Sequence, residues 1–288
     1  MRLLLFSLLL GLVFYRCTQS QPDPAFIDYD LKKVPYRMNE PAHVIPLHYD
    51  LEEISGLSFF KKNTLLAVQD EKGKLFFIDS KTGKITKEVK FGKSGDYEGV
   101  ELLDRQIYVT TSSGTVFSFS QNESTEVKAP IIKTPFSIKN DVEGLGLIQG
   151  RLTFLSKASG EIENNGVKGK AAYTLDVKSG KLRPNPLFSF RMKELEDFIS
   201  GRDHFNKLRD FDPSGLAEHP LNGDIYILTA DHALLVLTSE FEIKELVKLN
   251  RKIYKQPEGI CFDPKGKLYI SNEGDGARAK LIIVDLIQ

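Results

Sequence analysis

Three glutamates, Glu98, Glu143 and Glu258, each stand directly before a glycine in similar segments of the sequence, and two further segments of this form carry Ser55 and Ser214 at the same position. If the fold brings these segments together, the carboxylates crowd. Two unit charges about 5 Å apart repel by roughly 3 kcal/mol at an effective dielectric near 20. Protonation, a paired base or a bound cation must offset this repulsion.

A divalent cation suits this set because the side chains offer hard oxygen ligands and no Cys or His cluster accompanies them. We expect Ca²⁺ with Glu98, Glu143 and Glu258 as preferred ligands; Mg²⁺ is less suited to a wide ring with many ligands. Weaker candidate ligands follow other apolar runs: Asp70, Asp231 and Asn272. The alternative is that the carboxylates cap turns or point outward into water.

The five segments belong to an internal repeat. Their glycines are separated by 43, 45, 71 and 44 residues: Gly56, Gly99, Gly144, Gly215 and Gly259. A short apolar strand follows each glycine, then a polar turn and further strands. Four strands in 40 to 50 residues are typical of a β-propeller blade. The sequence therefore predicts an all-β, five-bladed β-propeller with four-stranded blades.

This architecture places the candidate ligands. The first strand of a propeller blade is innermost, and the second runs antiparallel to it. The residue before each glycine and the end of each second strand should therefore share one face near the axis. Few cations are expected there. The last repeat has three strands, so we expect an N-terminal strand, around residues 46–51, to complete it and close the ring.

The long interval contains an insertion around residues 183–211. Met192, Leu195, Phe198 and Ile199 have helical spacing, which predicts a short helix between blades three and four, ended by Gly201. A sixth, degenerate blade is the alternative, but the insertion is short and charged for four strands.

The N-terminus resembles an export signal. Arg2 precedes an apolar run over Leu3–Tyr15 that is too short to span a bilayer, and Cys17 follows. We interpret residues 1–17 as a lipoprotein-type signal peptide with Cys17 lipidated, residues 18–43 as a tether and residues 44–288 as the propeller domain. A plain signal peptide, or an uncleaved anchor with an idle cysteine, remains open because Tyr15 and Arg16 are not the small residues usual before a lipidated cysteine. The prediction is a cell-envelope protein, lipid-anchored to the membrane (the outer membrane) or periplasmic.

Composition excludes two classes of protein. Lys plus Arg and Asp plus Glu both number 39, so a net charge of zero gives no electrostatic basis for nucleic-acid binding. Two cysteines exclude a disulfide framework. Cys261 lies in an apolar run and is expected to be a buried hydrophobic residue.

The glycine segments also carry a family resemblance. The Ile-Ser-Gly-Leu start at residues 54–57, the two Glu-Gly repeats and the segment Gln-Pro-Glu-Gly-Ile-Cys-Phe-Asp-Pro-Lys-Gly-Lys-Leu-Tyr-Ile-Ser-Asn-Glu at 256–273 are similar to the SdiA-regulated family of bacterial envelope proteins, distant relatives of NHL-repeat propellers. The similarity covers residues 46–288. It implies a five-bladed propeller with a calcium site and leaves the biological role undefined. Related six-bladed propellers include metal-dependent lactonases and esterases.

Two functions fit these observations. The first is an exported calcium-binding propeller that serves as a binding or scaffold module in the cell envelope, with an unknown ligand or envelope protein at its axial face and the N-terminal lipid in the membrane. The alternative is a calcium-dependent hydrolase of lactonase or phosphoesterase type, in which the metal polarises an ester oxygen. The sequence offers only His232 or a spare carboxylate for proton transfer, so we favour binding.

Overall fold

The computed structural model describes residues 29–121, 124–201 and 210–287, and the predicted signal peptide with Cys17 lies outside them. Within these ranges the chain forms five antiparallel sheets. Their first strands contact one another in sequence order, and the fifth contacts the first. The sheets are therefore the blades of a closed five-bladed propeller, and the predicted fold is confirmed.

Strand bounds follow the repeat. Blade 1 comprises β2 (Ile54–Lys61), β3 (Thr64–Gln69), β4 (Lys74–Asp79) and β5 (Ile85–Lys90). Blade 2 comprises β6 (Tyr97–Leu103), β7 (Gln106–Thr111), β8 (Val116–Ser120) and β9 (Ile131–Ile132). Blade 3 comprises β10 (Val142–Ile148), β11 (Arg151–Ser156) and β12 (Lys170–Asp176), and two short strands, β13 (Lys181–Leu182) and β14 (Phe188–Phe190), both pair with β12. Blade 4 comprises β15 (Pro213–Glu218), β16 (Ile225–Thr229), β17 (Ala233–Leu237) and β18 (Ile243–Lys248). Blade 5 comprises β19 (Pro257–Phe262), β20 (Leu268–Asn272) and β21 (Lys280–Val284), followed by β1 (His43–Pro46).

Burial explains the composition of the strands. Every residue of β16, β17 and β20 is buried, because middle strands are covered on both faces by neighbouring blades. These strands are accordingly mostly apolar rather than alternating in pattern, although β16 ends in Thr229 and β20 in Ser271 and Asn272. The outer strand β5 keeps most of its residues partly or fully exposed.

The repeated glycines allow adjacent first strands to approach each other. A Cβ atom on Gly56 would lie 2.8 Å from the Cα of Gly99, and one on Gly259 would lie 2.6 Å from the Cβ of Leu57. Real side chains cannot be accommodated at these distances, so the inner ring requires glycine. The second contact joins blade 5 to blade 1.

An N-terminal strand closes the ring, as predicted. Strand β1 pairs antiparallel with β21, with His43 opposite Ile283 and Pro46 opposite Lys280. It begins slightly earlier than the expected segment: residues 47–51 instead form a loop and a single 3₁₀ turn at Tyr49–Leu51.

The insertion carries the predicted helix. Helix α1 spans Met192–Ile199 and buries Leu195 and Ile199 against the blade 3–blade 4 boundary. Gly201 follows with a φ of +81°, a backbone conformation that glycine tolerates. No additional sheet occurs among the described residues, which argues against a sixth blade. This helix is too short to cross a bilayer, and the described residues contain no helix that could do so.

The expectation of a tether over residues 18–43 is wrong for its second half. Val34, Tyr36 and Met38 are fully buried in the core shared by blades 4 and 5. The Tyr36 hydroxyl donates to the carbonyl of Gly266 at 2.5 Å, and Tyr254 donates to the carbonyl of Met38 at 2.7 Å. Residues 29–42 are therefore part of the folded domain; the remainder of the predicted tether, residues 18–28, lies outside the described part of the chain.

Candidate functional site

A β-bulge marks the same position in every blade. The register between the first two strands shifts at the residue before each repeated glycine, for example between Tyr97 and Gly99 and between Val142 and Gly144. Blades 1, 4 and 5 have the same irregularity. A bulge leaves one residue outside the ladder and re-aims its side chain. It accounts for the presence of the glutamates at the axis.

The glutamates of blades 2, 3 and 5 influence one another's ionisation. Burial raises the pKa of Glu98 to about 10, and the charges of Glu143 and Asp96 raise it further. Burial also raises the pKa of Glu258 well above its usual value, and the charge of Glu143 is again the largest charge contribution. Each carboxylate thus lies within electrostatic reach of another from a different blade. We refer to Glu98, Glu143 and Glu258 together as the axial glutamate ring.

Two lysines lie beside this ring. Lys157 follows β11, and its Nζ lies 2.6 Å from Oε1 of Glu143; the Lys157 side chain is 30% exposed and that of Glu143 11%. The nearby Lys170 Nζ donates to the carbonyl of Lys157 and lies 3.3 Å from Oδ1 of Asp212. Blade 3 therefore supplies a paired base that partly offsets the ring's negative charge.

The ion pair with Lys157 distinguishes Glu143 from Glu98 and Glu258. Burial raises the pKa of Glu143 to about 7, against the hydrogen bond and positive charge of Lys157, which lower it. Glu98 and Glu258 do not form an ion pair with any described residue; the pKa of Glu98, raised to about 10, favours the protonated acid at neutral pH, and burial shifts the pKa of Glu258 in the same direction. Glu143 thus has a paired base, whereas the shift at Glu98 favours protonation.

Two weaker candidates carry polar atoms without partners. Asn272, at the end of β20 and 2% exposed, has no hydrogen-bond partner for Oδ1 or Nδ2 among the described residues. Asp70 directly follows β3, and its Oδ1 is likewise buried without a hydrogen-bond partner among the described residues. Burial and the charge of Glu53 raise the pKa of Asp70 to about 6, and Asp70 in turn acts on Glu258. Buried polar atoms normally have a partner, so these oxygens are available to a ligand.

Asp231 and His232 are already engaged. Oδ2 of Asp231 accepts from the backbone N–H of Asp212 at 2.9 Å, so it caps the start of blade 4. Nε2 of His232 donates to the carbonyl of Lys255 at 2.9 Å, while its Nδ1 is buried without a partner among the described residues. These bonds hold both side chains to the loops of blades 4 and 5.

No preformed metal cage is present in the described ranges: no three His, Cys, Asp or Glu side chains are grouped closely enough to hold an ion. The Glu143–Lys157 ion pair contributes to this, because it directs one ring carboxylate toward an ammonium group. A cation at the ring would have to compete with Lys157 and with the protons on Glu98 and Glu258.

The fold has many structural relatives at low sequence identity. The PQQ-bound aldose sugar dehydrogenase from Streptomyces coelicolor superposes with a TM-score of 0.58 at 12% identity, over 85% of this chain and 97% of that one. The glutaminyl cyclase of Myxococcus xanthus gives 0.56 at 15%, over 85% and 95%, and a luciferin-regenerating enzyme gives 0.51 at 13%, also over 85% and 95%. These similarities show a β-propeller and nothing finer. No protein-family model and no curated protein matches the chain, so membership of the SdiA-regulated family stays a prediction.

Proposed function

We propose that this protein is a calcium-binding β-propeller that acts as a binding module, with the axial glutamate ring as its cation site. The observation that carries the proposal is the mutual electrostatic influence of three glutamates from three blades, with Glu143 buried and Glu98 and Glu258 half-buried, on a face with one directly paired lysine. Lys157 can neutralise the charge of one of the three carboxylates. The other two need protons or a cation.

The donor set favours calcium. Glu98, Glu143 and Glu258 would hold the ion, and the unpartnered oxygens of Asn272 and Asp70 are available beside them. All are hard oxygen donors, and Ca²⁺ accepts six to eight such ligands in flexible geometry. Asp231 is a poorer candidate because it already caps Asp212.

A bound ion would connect blades 2, 3 and 5 at the axis and shape one face of the propeller. We propose that this face meets the ligand, a small molecule or an envelope protein. The export assignment and the lipid anchor at Cys17 belong to the same proposal and depend on the N-terminal sequence alone.

One observation supports the alternative, a calcium-dependent hydrolase. The pKa of Glu143, raised to about 7, suits a general base at neutral pH. His232 is a weaker candidate because Nε2 is committed to Lys255. Turnover of lactones or phosphoesters that needs Ca²⁺, is lost with EDTA and is lost in Glu143→Gln would establish this function in place of simple binding.

Thermal unfolding of the chelator-treated protein, with and without Ca²⁺, tests the cation site. An ion that binds only the native state, at a free concentration about 100 times its dissociation constant, raises the free energy of unfolding by roughly 2.7 kcal/mol. We expect Glu98→Gln and Glu258→Gln to lose most of this gain and the exposed Glu196→Gln on helix α1 to keep it. A melting temperature insensitive to Ca²⁺, or ring variants that respond like the parent protein, would refute the proposal.

A further inference from the structure

A second concave site lies on the opposite face of the propeller, where blade 5, the closing strand β1 and blade 1 meet. The cavity has a volume of about 850 Å³. It is lined by the turns that follow the first strands of both blades, at Lys62–Asn63 and Asp263–Lys267, whereas the glutamate ring lies where those strands begin. We refer to it as the seam cleft.

The floor of the seam cleft is apolar. Tyr269 and Ile283 are buried there, and Phe59 and Ile45 are partly buried hydrophobic residues of the same core cluster. Strand β1 contributes the exposed Val44 to the wall. An apolar chain or ring placed on this floor would bury surface in contact with two blades and the closing strand.

The rim of the seam cleft is basic. Four lysines surround it: Lys62, Lys81, Lys265 and Lys267. Lys267 forms an ion pair with Asp285 at 2.6 Å, while Lys62, Lys81 and Lys265 have no carboxylate within 4.0 Å in the described ranges. Asp263 is the one carboxylate in the lining, and its Oδ1 accepts from the backbone N–H groups of Lys265 and Lys267, both at 2.9 Å.

We propose that the seam cleft binds an amphiphilic anion, a small molecule with a phosphate or carboxylate head group on an apolar chain. The head group would meet the ammonium groups of Lys62 and Lys265 at the rim, and the chain would lie on the Phe59–Tyr269–Ile283 floor. The volume is typical of small-molecule sites, which are mostly apolar with a few placed polar groups. The proposal does not depend on calcium, because the two sites lie at opposite ends of the strands.

Calorimetric titration of the full chain with octyl phosphate, kept monomeric, tests the proposal. We expect saturable binding of one molecule per chain, with the affinity of an alkyl phosphate series rising about twofold or more per added methylene. Neutral octyl glucoside and inorganic phosphate alone should bind at least about tenfold more weakly, because each lacks one of the two interactions.

Variants separate the cleft from general surface charge. Lys62→Gln/Lys265→Gln should weaken octyl phosphate binding about tenfold or more. The matched double variant Lys178→Gln/Lys181→Gln, on exposed positions of blade 3, should bind like the parent protein. Equal affinity in the Lys62/Lys265 variant and the parent, or inorganic phosphate binding as tightly as octyl phosphate, would overturn the proposal.

A vesicle arm distinguishes the source of the head group. If a membrane lipid supplies it, phosphatidylglycerol vesicles should compete with monomeric octyl phosphate, and this competition should be lost in Lys62→Gln/Lys265→Gln. If a free metabolite supplies it, octyl phosphate should bind and vesicles should not compete. Adsorption to vesicles without any binding of the monomer would reflect a charged surface and would overturn the cleft assignment.

Discussion

The five blades fall into two groups that differ in the residue at the β-bulge of the first strand. In blades 1 and 4 the bulged residue is serine: Ser55 donates to the carbonyl of Tyr97 and Ser214 donates to the carbonyl of Pro257, each at 2.8 Å and each in the next blade. In blades 2, 3 and 5 it is glutamate, and among the described residues only Glu143 of these three forms an ion pair. The bulge delivers a side chain to the axis in every blade; serine then connects neighbouring blades, whereas glutamate leaves charge for a proton, a lysine or an ion to meet.

The close contact between adjacent first strands, which both groups of blades share, should be the feature most sensitive to substitution. Gly56→Ala, beside a serine, and Gly259→Ala, beside a glutamate, each push a Cβ into the neighbouring blade's backbone or its Leu57 side chain. We expect each to lower the free energy of unfolding by about 2 to 3 kcal/mol, as overpacking does. Chemical denaturation measures this.

Gly166→Ala is the control for the glycine substitutions, because no atom lies within 4 Å of a Cβ there. Its positive φ of +73° alone should cost about 1 kcal/mol. If Gly56→Ala and Gly259→Ala lower the free energy of unfolding no more than Gly166→Ala does, the first strands can move apart, and close packing of the inner ring would not be required.

The paired base separates Glu143 from the other ring members. Lys157→Gln leaves a buried carboxylate without its cation and should destabilise the calcium-free protein by about 2 kcal/mol, less than for a fully buried pair because Lys157 is partly exposed. The same variant should bind Ca²⁺ more tightly, since the competing ammonium group is gone. Denaturation without calcium, followed by a calcium titration, gives both values; unchanged calcium affinity would mean that Lys157 does not compete for the site.

Proton binding by the ring glutamates makes the free energy of unfolding depend on pH. Folded-state pKa values near 10 for Glu98 and near 7 for Glu143 lie above the ordinary glutamate value of 4.5. Their contribution to the free energy of unfolding is therefore fully present below about pH 4.5 and is lost as pH rises through 7 toward 10. Glu101 is half-buried and accepts a hydrogen bond from the Ser58 hydroxyl; desolvation raises its pKa to about 7, so it acts in the same direction.

Without calcium, stability should fall by more than about 1 kcal/mol between about pH 5 and pH 8, since each unit of pKa difference corresponds to 1.36 kcal/mol. Glu98→Gln should flatten this decline. Saturating Ca²⁺ should stabilise more strongly at higher pH, because the ion replaces protons. A calcium-free protein whose stability rises over the same range would contradict the protonated state of the ring.

The serine blades should show the smallest effects. Ser55→Ala and Ser214→Ala each remove one hydrogen bond between blades and should cost about 1 kcal/mol. Neither should change calcium affinity, whereas Glu258→Gln should reduce it strongly while leaving the calcium-free protein at least as stable. A calcium titration of the four proteins makes the comparison, and calcium binding that is sensitive to Ser55 would place the serines inside the site.

The sequence predicts the blades well because the feature that repeats is also the one that packing requires. The glycine spacing identifies five blades, and glycine is needed where the first strands nearly touch. The helical spacing in the insertion likewise corresponds to helix α1, whose Leu195 and Ile199 are buried.

The details of the site depend on contacts between residues distant in sequence. The bulge is visible only in the pairing register, although its recurrence before each glycine could have suggested it. Lys157 lies in a segment expected to reach the axial face, yet nothing local shows that its ammonium group turns toward Glu143. The packing of residues 29–42 likewise depends on bonds such as that from Tyr36 to Gly266, 230 residues apart.

The most direct test of the account is calorimetric titration of the chelator-treated protein with Ca²⁺ at neutral pH, in two buffers that differ in ionisation enthalpy. We predict one ion per chain, with release of about one to two protons because Glu98 and Glu258 must ionise to bind it. Both the heat and the proton release should be lost when Glu98, Glu143 and Glu258 are all changed to Gln. An absence of calcium binding, or binding that the triple variant retains, would contradict the assignment of the glutamate ring as a cation site.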